Sequence, residues 1–408
     1  MKNTFFDKNI LLLFPTDENQ YFNFHYGALK NYFQNIYRFN FVEYFRKKGI
    51  RNTERYIANL ISDKEIDIVM SYPFATDYQL SVEFYSSLKK KIKIVFCMFD
   101  DENYFDVYSK YYCQIADAVI TVDYFSVFGY EKLGIPSILF LPVFSKNNYH
   151  PVETEKDIDV CFLGNCIKND RMKYINFLIN NGIKVETFGI GSKNGFVEWN
   201  ELSKIYSRSK INLNFAKLDK LNWINKDEPL LNRVRQDKGR PTEIALTRSF
   251  CLSEYSPSLK YIFEIGKEID VFHNKEELLG KVKYYLSNES KREEIAYNAY
   301  KKALENYETE IYIPKVLKEL NSILENTDKS KTENIRIYLS ESFKIKSING
   351  LTFSTFVLIK NGKIKYALEL FAELFKYGVF NFLTGFYGGT IRIIRHKLKL
   401  FIYRDAIS

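Results

Sequence analysis

The chain has 408 residues, of which 46% are hydrophobic and 17% aromatic. This length exceeds the size at which one hydrophobic core normally stops growing, so we expect two domains, and the apolar content excludes a largely disordered chain. The formal net charge is +9, but residues 335–408 contain twelve Lys or Arg and four Asp or Glu, a net charge of +8. The basic character therefore belongs to the C-terminal segment.

The cysteine content and the apolar runs indicate a soluble cytoplasmic protein. Five cysteines are an odd number, and they form no C-x-x-C pair, which argues against a disulfide scaffold or a zinc site. The first apolar run, Ile10 to Phe14, is too short for a signal peptide. No stretch approaches the roughly 18 to 20 apolar residues of a membrane-spanning helix. We therefore expect buried free thiols in a reducing compartment.

Short apolar runs alternate with helical patterns through the first 145 residues, which is typical of parallel β-α-β units. Strands are predicted at Ile10–Phe14, Ile66–Tyr72, Ile92–Met98, Ala118–Val122 and Ile138–Leu141. Helices are predicted between them at Arg51–Ser62, Tyr78–Lys89 and Phe125–Leu133. These elements form a first Rossmann-like domain at residues 1–145.

A polar segment at residues 142–157 is typical of a linker, and a second alternating series follows it. Its predicted strands are Ile158–Leu163, Val185–Phe188, Ile211–Phe215, Phe250–Ser253 and Ile269–Phe272. Its predicted helices are Arg171–Asn180, Glu198–Arg208, Pro241–Thr247 and Lys275–Leu286. The pattern predicts an α/β fold of two Rossmann-like domains that face each other across a cleft. The second domain covers residues 157–310, a crossover helix and hinge residues 311–334, and a basic aromatic helical extension residues 335–408.

Residues 236–255, QDKGRPTEIALTRSFCLSEY, combine a Gly-Arg-Pro turn, a short helix and a buried-looking strand. A basic loop that leads into a helix N-terminus is a place to hold phosphate, and Lys238 and Arg240 add fixed positive charge. Glu243, one turn into the helix, is better matched to a ribose diol than to phosphate. The alternative for Glu243 is a surface acid that stabilises its helix by about 0.3 to 1 kcal/mol. Together these residues predict a nucleotide-sugar site.

At these residues the chain resembles the CgeB-like, or spore-maturation-protein-like, group 1 glycosyltransferases of GT-B fold. The resemblance is carried by the run from Gln236 through Arg240, by Glu243-Ile244, by Ser253-Glu254-Tyr255 and by residues 261–269. It covers roughly residues 157–310, is weaker before them and is absent after them. It implies a metal-independent, hexosyltransferase-type enzyme without a cofactor, whose donor is a UDP- or GDP-linked sugar. Ser253 and Glu254 are then donor-binding candidates with Lys238, Arg240 and Glu243.

The chain departs from the family pattern at several positions. Thr242 replaces an aromatic residue, and Arg248-Ser249 replace a glycine pair, so we expect a differently built turn after the helix. Many retaining relatives carry a Glu-x7-Glu pair, but Arg235 and Gln236 occupy the region of its first acid. Arg233 and Arg235 are instead candidates to neutralise a diphosphate leaving group. Retaining and inverting stereochemistry both stay open.

Residues that follow the strands are the next candidates, because open α/β sheets bind ligands at the carboxyl ends of their strands. Gly164 and Asn165 follow a strand of the second domain, where a small residue lets the backbone approach a ligand or simply forms a turn. Residues 189–195 contain three glycines, but their spacing differs from a dinucleotide fingerprint and no helix begins there. We predict a loop, which disfavours an NAD-linked enzyme.

Acidic residues follow a strand of the first domain as well. Asp100 or Asp101 is a candidate general base toward an acceptor hydroxyl, and the alternative is that one of them caps a helix N-terminus. His25, after the first strand, is a further catalytic candidate whose alternative is a structural role. The sequence thus predicts transfer from a nucleotide sugar to a glycan, lipid-linked or protein hydroxyl. A non-catalytic glycan-binding or assembly module is the rival interpretation.

The tail interleaves aromatic and aliphatic residues with Lys and Arg between Lys344 and Arg404. Basic amphipathic helices of this kind bind anionic lipid, which would place the protein at the inner face of the cell membrane. A packed helical domain and an oligomer interface are the alternatives. No recognised nucleic-acid-binding module is present, so we expect no nucleic-acid partner.

Overall fold

The chain contains two β-sheets. The computed structural model describes residues 7–15, 29–30, 32–73, 77–89, 91–141, 143–168, 170–218, 234–236, 239–326 and 337–405. From residue 396 onward it describes the backbone alone. Contacts between residues divide the chain into two units. The first unit contains Met1–Thr121, Ser126–Ile138 and Lys318–Ser408. The second unit contains Val122–Phe125 and Leu139–Leu317.

The first unit is built on a six-stranded sheet in the order β2-β1-β3-β4-β5-β6. Its strands are β1 (Asn9–Phe14), β2 (Asn35–Asn40), β3 (Ile68–Ser71), β4 (Lys93–Met98), β5 (Ala118–Thr121) and β6 (Ser137–Leu139). Strands β1 to β5 pair in parallel. Residues 11–13 of β1 are fully buried, as expected for an interior strand covered on both faces. All five predicted strands are confirmed, whereas the half-buried edge strand β2 lies outside the predicted elements.

Helices follow the strands of this sheet. They are α1 (Phe41–Lys48), α2 (Ile50–Asp63), α3 (Val82–Leu88), α4 (Asp101–Tyr104), α5 (Lys110–Cys113) and α6 (Tyr124–Lys132), with a π-helical turn at Phe105–Ser109 between α4 and α5. Helix α3 begins four residues later than predicted, because the Ser81 hydroxyl accepts a hydrogen bond of 3.0 Å from the Phe84 N–H and caps the helix. The region from α4 to α5 was missed because its Asp, Asn, Tyr and Phe residues have low helix propensity.

The second unit is built on a five-stranded parallel sheet in the order β11-β10-β9-β7-β8. Its strands are β7 (Ile158–Leu163), β8 (Val185–Phe188), β9 (Ser209–Asn214), β10 (Cys251–Glu254) and β11 (Asp270–Phe272). All five were predicted to within two residues. Val160, Ile211 and Leu252, one from each of the central strands, are fully buried in a shared apolar core. The doubled parallel sheet confirms the predicted α/β fold class.

Six helices accompany the second sheet in the described residues. They are α7 (Arg171–Asn180), α8 (Leu202–Arg208), α9 (Arg240–Leu246), α10 (Lys275–Ser287), α11 (Glu289–Asn306) and α12 (Thr309–Asn326), of which α12 extends into the first unit. Gly239, which precedes α9, has φ 75°, and Pro241 occupies the first turn. Glycine adopts this left-handed backbone without strain, and proline is pre-organised for a first helical turn. Residues 189–195 form the predicted loop, and no helix begins in it.

The C-terminal helices α13 (Glu341–Lys360), α14 (Ile364–Glu373) and α15 (Val379–Asp405) belong to the first unit. Phe343, Ile348 and Leu370 are buried in the same apolar cluster as Phe45 and Tyr112. The inner face of the tail is therefore part of the protein core, as in the packed-domain alternative.

No helix in the described part of the chain combines the length and the apolar character needed to cross a bilayer. The five cysteines are buried free thiols, as predicted. They are Cys97, Cys113, Cys161, Cys166 and Cys251.

Candidate functional site

The carboxyl ends of β7, β9 and β10 lie at one edge of the second sheet, because these strands are parallel neighbours. Gly164 follows β7, Phe215 follows β9, and Glu254 is the last residue of β10. Ligands of open α/β sheets bind at this edge. Of the candidate donor residues, Gly164 and Glu254 therefore lie at the same edge of the sheet.

Arg240 packs directly against Gly164 at this edge. A Cβ atom on Gly164 would lie 3.0 Å from the Arg240 Nη2 atom and 3.1 Å from the Phe162 ring. The guanidinium carbon of Arg240 lies 5.7 Å from the centre of that ring, and Nη1 lies 3.5 Å from Asn214 Oδ1. A side chain at 164 would therefore press on the guanidinium and on the ring, and glycine avoids this. Arg240 is held by the Phe162 ring, by the long contact with Asn214 and by an interaction with the Tyr206 side chain, and its buried Nε atom is the donor without a partner among the described residues.

Glu243 lies three residues further along α9 and is half-buried. Its Oε2 atom accepts a hydrogen bond of 3.0 Å from the hydroxyl of Tyr206, which is 1% exposed. Burial raises the pKa of Glu243, while the charge of Arg240 and the Tyr206 hydrogen bond act in the opposite direction. No other described residue hydrogen-bonds to this carboxylate, so Oε1 is the atom that can accept from a ligand hydroxyl.

Glu254 is a buried carboxylate with protein partners on both oxygens. Oε2 accepts the backbone N–H groups of Ala216 and Lys217, each at 2.9 Å, and Oε1 lies 2.8 Å from Arg235 Nε. Ser253 is also buried, and its hydroxyl accepts from Asn214 Nδ2 at 2.9 Å. These two residues therefore fix the loop after β9 and the Arg235 side chain, and both oxygens of Glu254 already have a protein partner.

A small cavity of about 30 Å³ opens beside Glu254. Its lining is Asp170, Arg171, Tyr174, Phe215, Lys217, Arg235 and Glu254. Lys217 Nζ lies 2.7 Å from Asp170 Oδ2, and hydrogen bonds from Lys217 and Lys173 lower the pKa of Asp170 to about 2. A cavity of this size holds about one water molecule, so it is smaller than a nucleotide.

The remaining donor candidates have different outcomes. Asn165 closes a local turn, because its Oδ1 atom accepts the Ile167 N–H at 2.9 Å, and its backbone oxygen accepts from Arg171 Nη1 at 2.8 Å. Arg233 and Lys238 lie outside the described residues.

In the first unit, Asp101 is 1% exposed and accepts hydrogen bonds from Thr121 Oγ1 at 2.8 Å and the Tyr130 hydroxyl at 2.7 Å. Burial of this kind is typical of a structural carboxylate. Asp100 is half-buried and accepts from the Tyr72 hydroxyl at 3.3 Å. It occupies the position before α4 without a side-chain capping bond, so the proposed capping role is not observed there. His25 lies outside the described residues.

Four residues at the second sheet were missed by the sequence reasoning: Asp170, Arg171, Tyr206 and Lys217. Lys217 lies three residues after β9, and Asp170 and Arg171 begin the helix after β7. The position of Lys217 near a strand end is a signal that could have identified it, whereas Asp170 and Arg171 lie at the start of the following helix. Tyr206 carried no such signal, because it sits mid-helix.

The turn after α9 contains Arg248 with φ 52°. Its guanidinium carbon lies 5.4 Å from the centre of the Tyr297 ring. Arg248 thus adopts a left-handed backbone, which is strained for a non-glycine residue. The expectation of a turn built differently from that of the family stays a prediction.

We expect the variant Arg248→Gly to be more stable than Arg248→Ala by about 1 kcal/mol. Both variants remove the contact with Tyr297, but only glycine relieves the left-handed backbone. Urea unfolding of the two variants measures the difference. Equal stabilities would show that this turn carries no backbone strain.

Residues 171–313 match the sequence profile of a family described as glycosyl transferase-like. The matched segment includes Arg240, Glu243 and Glu254. No curated protein matches the chain.

Solved structures are similar over most of the chain. Anabaena HepE in complex with UDP-glucose has a TM-score of 0.56 and 12% identity, covering 77% of this chain and 99% of HepE. Sucrose-phosphate synthase from Thermosynechococcus elongatus has a TM-score of 0.57 and 8% identity, with coverages of 77% and 99%. A glycosyltransferase from Rickettsia africae has a TM-score of 0.57 and 13% identity, with coverages of 79% and 100%.

The fold is GT-B. Both units of this GT-B chain carry the parallel sheet that the alternating sequence pattern predicted. The family match lies in the unit that contains Arg240 and Glu243. The finer CgeB-like assignment stays a prediction.

Proposed function

We propose that this protein is a glycosyltransferase that uses a UDP- or GDP-linked sugar bound at the carboxyl edge of the second sheet. The observation that carries the proposal is the placement of Arg240 against Gly164, three residues before Glu243, inside the segment with the glycosyl transferase-like match. The UDP-glucose complex of HepE, a protein of the same fold, supports the choice of donor class. The acceptor is a hydroxyl of a glycan, a lipid-linked sugar or a protein.

In this proposal Arg240 binds the diphosphate. Its guanidinium offers parallel N–H donors to phosphate oxygens, and it stabilises the negative charge that develops on the leaving group as the bond to the sugar breaks. Gly164 leaves room for the phosphates, and Glu243 Oε1 accepts a hydrogen bond from a ribose hydroxyl. Because the guanidinium supplies the positive charge, transfer should proceed without a metal ion.

Glu254 acts indirectly in this proposal. By pairing with Arg235 and with two backbone N–H groups, it positions the loop after β9 beside the diphosphate. In the first unit, Asp100 is the stronger candidate for a general base, because Asp101 is buried among hydroxyl groups.

A non-catalytic module that binds glycans or nucleotides is the second candidate. Many retaining relatives carry a first glutamate in the region where this chain has Arg235. Arg235 is paired with Glu254, so this position does not supply the glutamate of that pattern. A protein that kept the fold but lost the chemistry would bind a nucleotide and leave the donor intact.

A donor screen separates the two candidates. Incubating the wild type with a panel of UDP- and GDP-linked sugars in the presence of EDTA should release free nucleotide from at least one donor, with water taking up the sugar when no other hydroxyl is supplied. Mass spectrometry of the products identifies the sugar that is released. Nucleotide binding without release from any donor would contradict the enzyme and favour the module.

A further inference from the structure

Helices α13, α14 and α15 bury one face in the first unit but leave large apolar side chains in solvent on the other. Leu368 is 66% exposed, Phe380 75%, Leu383 61% and Tyr387 69%. On α15 the last three follow each other at spacings of three and four residues, so they lie on one face of the helix. Adjoining exposed apolar side chains of this kind mark interaction surfaces.

This outer face cannot turn inward, because α15 is fixed against α13. A Cβ atom on Gly385 would lie 2.7 Å from the Ile345 carbonyl oxygen, and one on Gly389 would lie 2.7 Å from Thr352 Cβ. Such close backbone contact fixes the rotation of α15. The exposure of Phe380, Leu383 and Tyr387 is therefore built into the packing.

The contacts also show that α13 and α15 run in the same direction, because positions 345 and 352 of α13 meet 385 and 389 of α15 in that order. The end of α13 and the start of α14 consequently lie at the same end of the layer as the last turns of α15. Exposed apolar side chains continue there with Ile359, Ile364 and Ile394.

This end of the layer carries exposed positive charge. Lys360, Lys363, Lys365 and Arg395 are exposed, and none forms an ion pair with a described residue. Other cations of the tail are committed to the fold: Lys376 pairs with Glu83 and Arg392 with Asp77. Lys397, Lys399 and Arg404 follow along the sequence of α15.

We propose that the outer face of α13–α15 binds the surface of an anionic lipid bilayer. The apolar side chains enter the interface between headgroups and acyl chains, and the lysines contact the negatively charged headgroups. A second copy of the chain is disfavoured as the occupant, because it would set like charges against each other. This inference does not depend on the proposed transferase activity.

Vesicle co-sedimentation of the full chain tests the proposal. Binding to phosphatidylglycerol vesicles should be strong at low salt, and binding to phosphatidylcholine vesicles weak. Replacing Lys360, Lys363 and Lys365 with Gln should lower the partition coefficient on the order of 100-fold, since each cation contributes about a fivefold factor near an anionic surface. The double variant Leu368→Ser/Leu383→Ser should also lose binding. Surface substitutions are preferred to truncation, because deleting the tail would remove core residues.

A triple variant with the same change of charge serves as the control, with Gln at the exposed Lys204, Lys283 and Lys301 of the second unit. It should bind vesicles like the wild type. Equal loss in both triple variants would overturn the proposal, because net charge alone would then account for binding. The proposal would also be overturned if the wild type does not bind anionic vesicles but forms a dimer in analytical ultracentrifugation. That result would assign the outer face to a second copy of the chain.

Discussion

Replacing Arg240 with lysine is expected to lower kcat/KM for the donor about 100- to 1000-fold. Lysine keeps the positive charge but presents one compact ammonium in place of parallel N–H donors. It also loses the planar contact with the Phe162 ring that positions the guanidinium. Steady-state release of nucleotide, with the donor identified in the screen, measures the effect.

Arg208→Lys is the matched control for this variant. Arg208 is the last residue of α8 and donates to both carboxylate oxygens of Asp157. It therefore makes a two-point contact with an anionic group away from the proposed site. Its replacement should leave kcat/KM unchanged. An Arg240→Lys enzyme within threefold of the wild type would remove Arg240 from the diphosphate site.

The variant Glu254→Gln should lose about 3 kcal/mol of unfolding free energy. The wild-type carboxylate accepts two backbone N–H groups through one oxygen and pairs with Arg235 through the other. An amide keeps one acceptor and turns the other into a donor. Either the two backbone N–H groups or Arg235 then lose the acceptor that Glu254 supplies. An unsatisfied donor next to a buried side chain lowers the free energy of unfolding.

Urea unfolding followed by circular dichroism measures this loss. The control is Glu264→Gln, which removes an exposed i,i+3 pair with Lys267 and should change stability by less than about 0.5 kcal/mol. If both variants unfold at the same urea concentration, Glu254 does not hold the loop after β9.

The strands were predictable because burial on both faces favours a continuous apolar run, as at Ile10–Phe14. Edge strand β2 was not predicted, since none of its residues is fully buried and NIYRFN contains no continuous apolar run. In the tail, the sequence did not show which apolar residues are buried. Ile348 lies in the core and Phe380 is exposed, although both are large apolar residues.

At the candidate site the sequence indicated which residues follow a strand, but not which distant residues they meet. Tyr206 and Glu243 are 37 positions apart, and their hydrogen bond depends on how α8 and α9 pack. The pairing of Arg235 with Glu254 likewise required the fold. The sequence therefore supplied candidate chemical groups, and the structure separated those paired inside the protein from those with atoms left for a ligand.

Calorimetric titration of the protein with UDP and GDP measures nucleotide binding at Arg240 and Glu243. We expect saturable binding of at least one nucleotide to the wild type, weakened in Glu243→Ala because the ribose contact is removed. A folded wild type that gives no binding heat with either nucleotide would contradict the proposed nucleotide site.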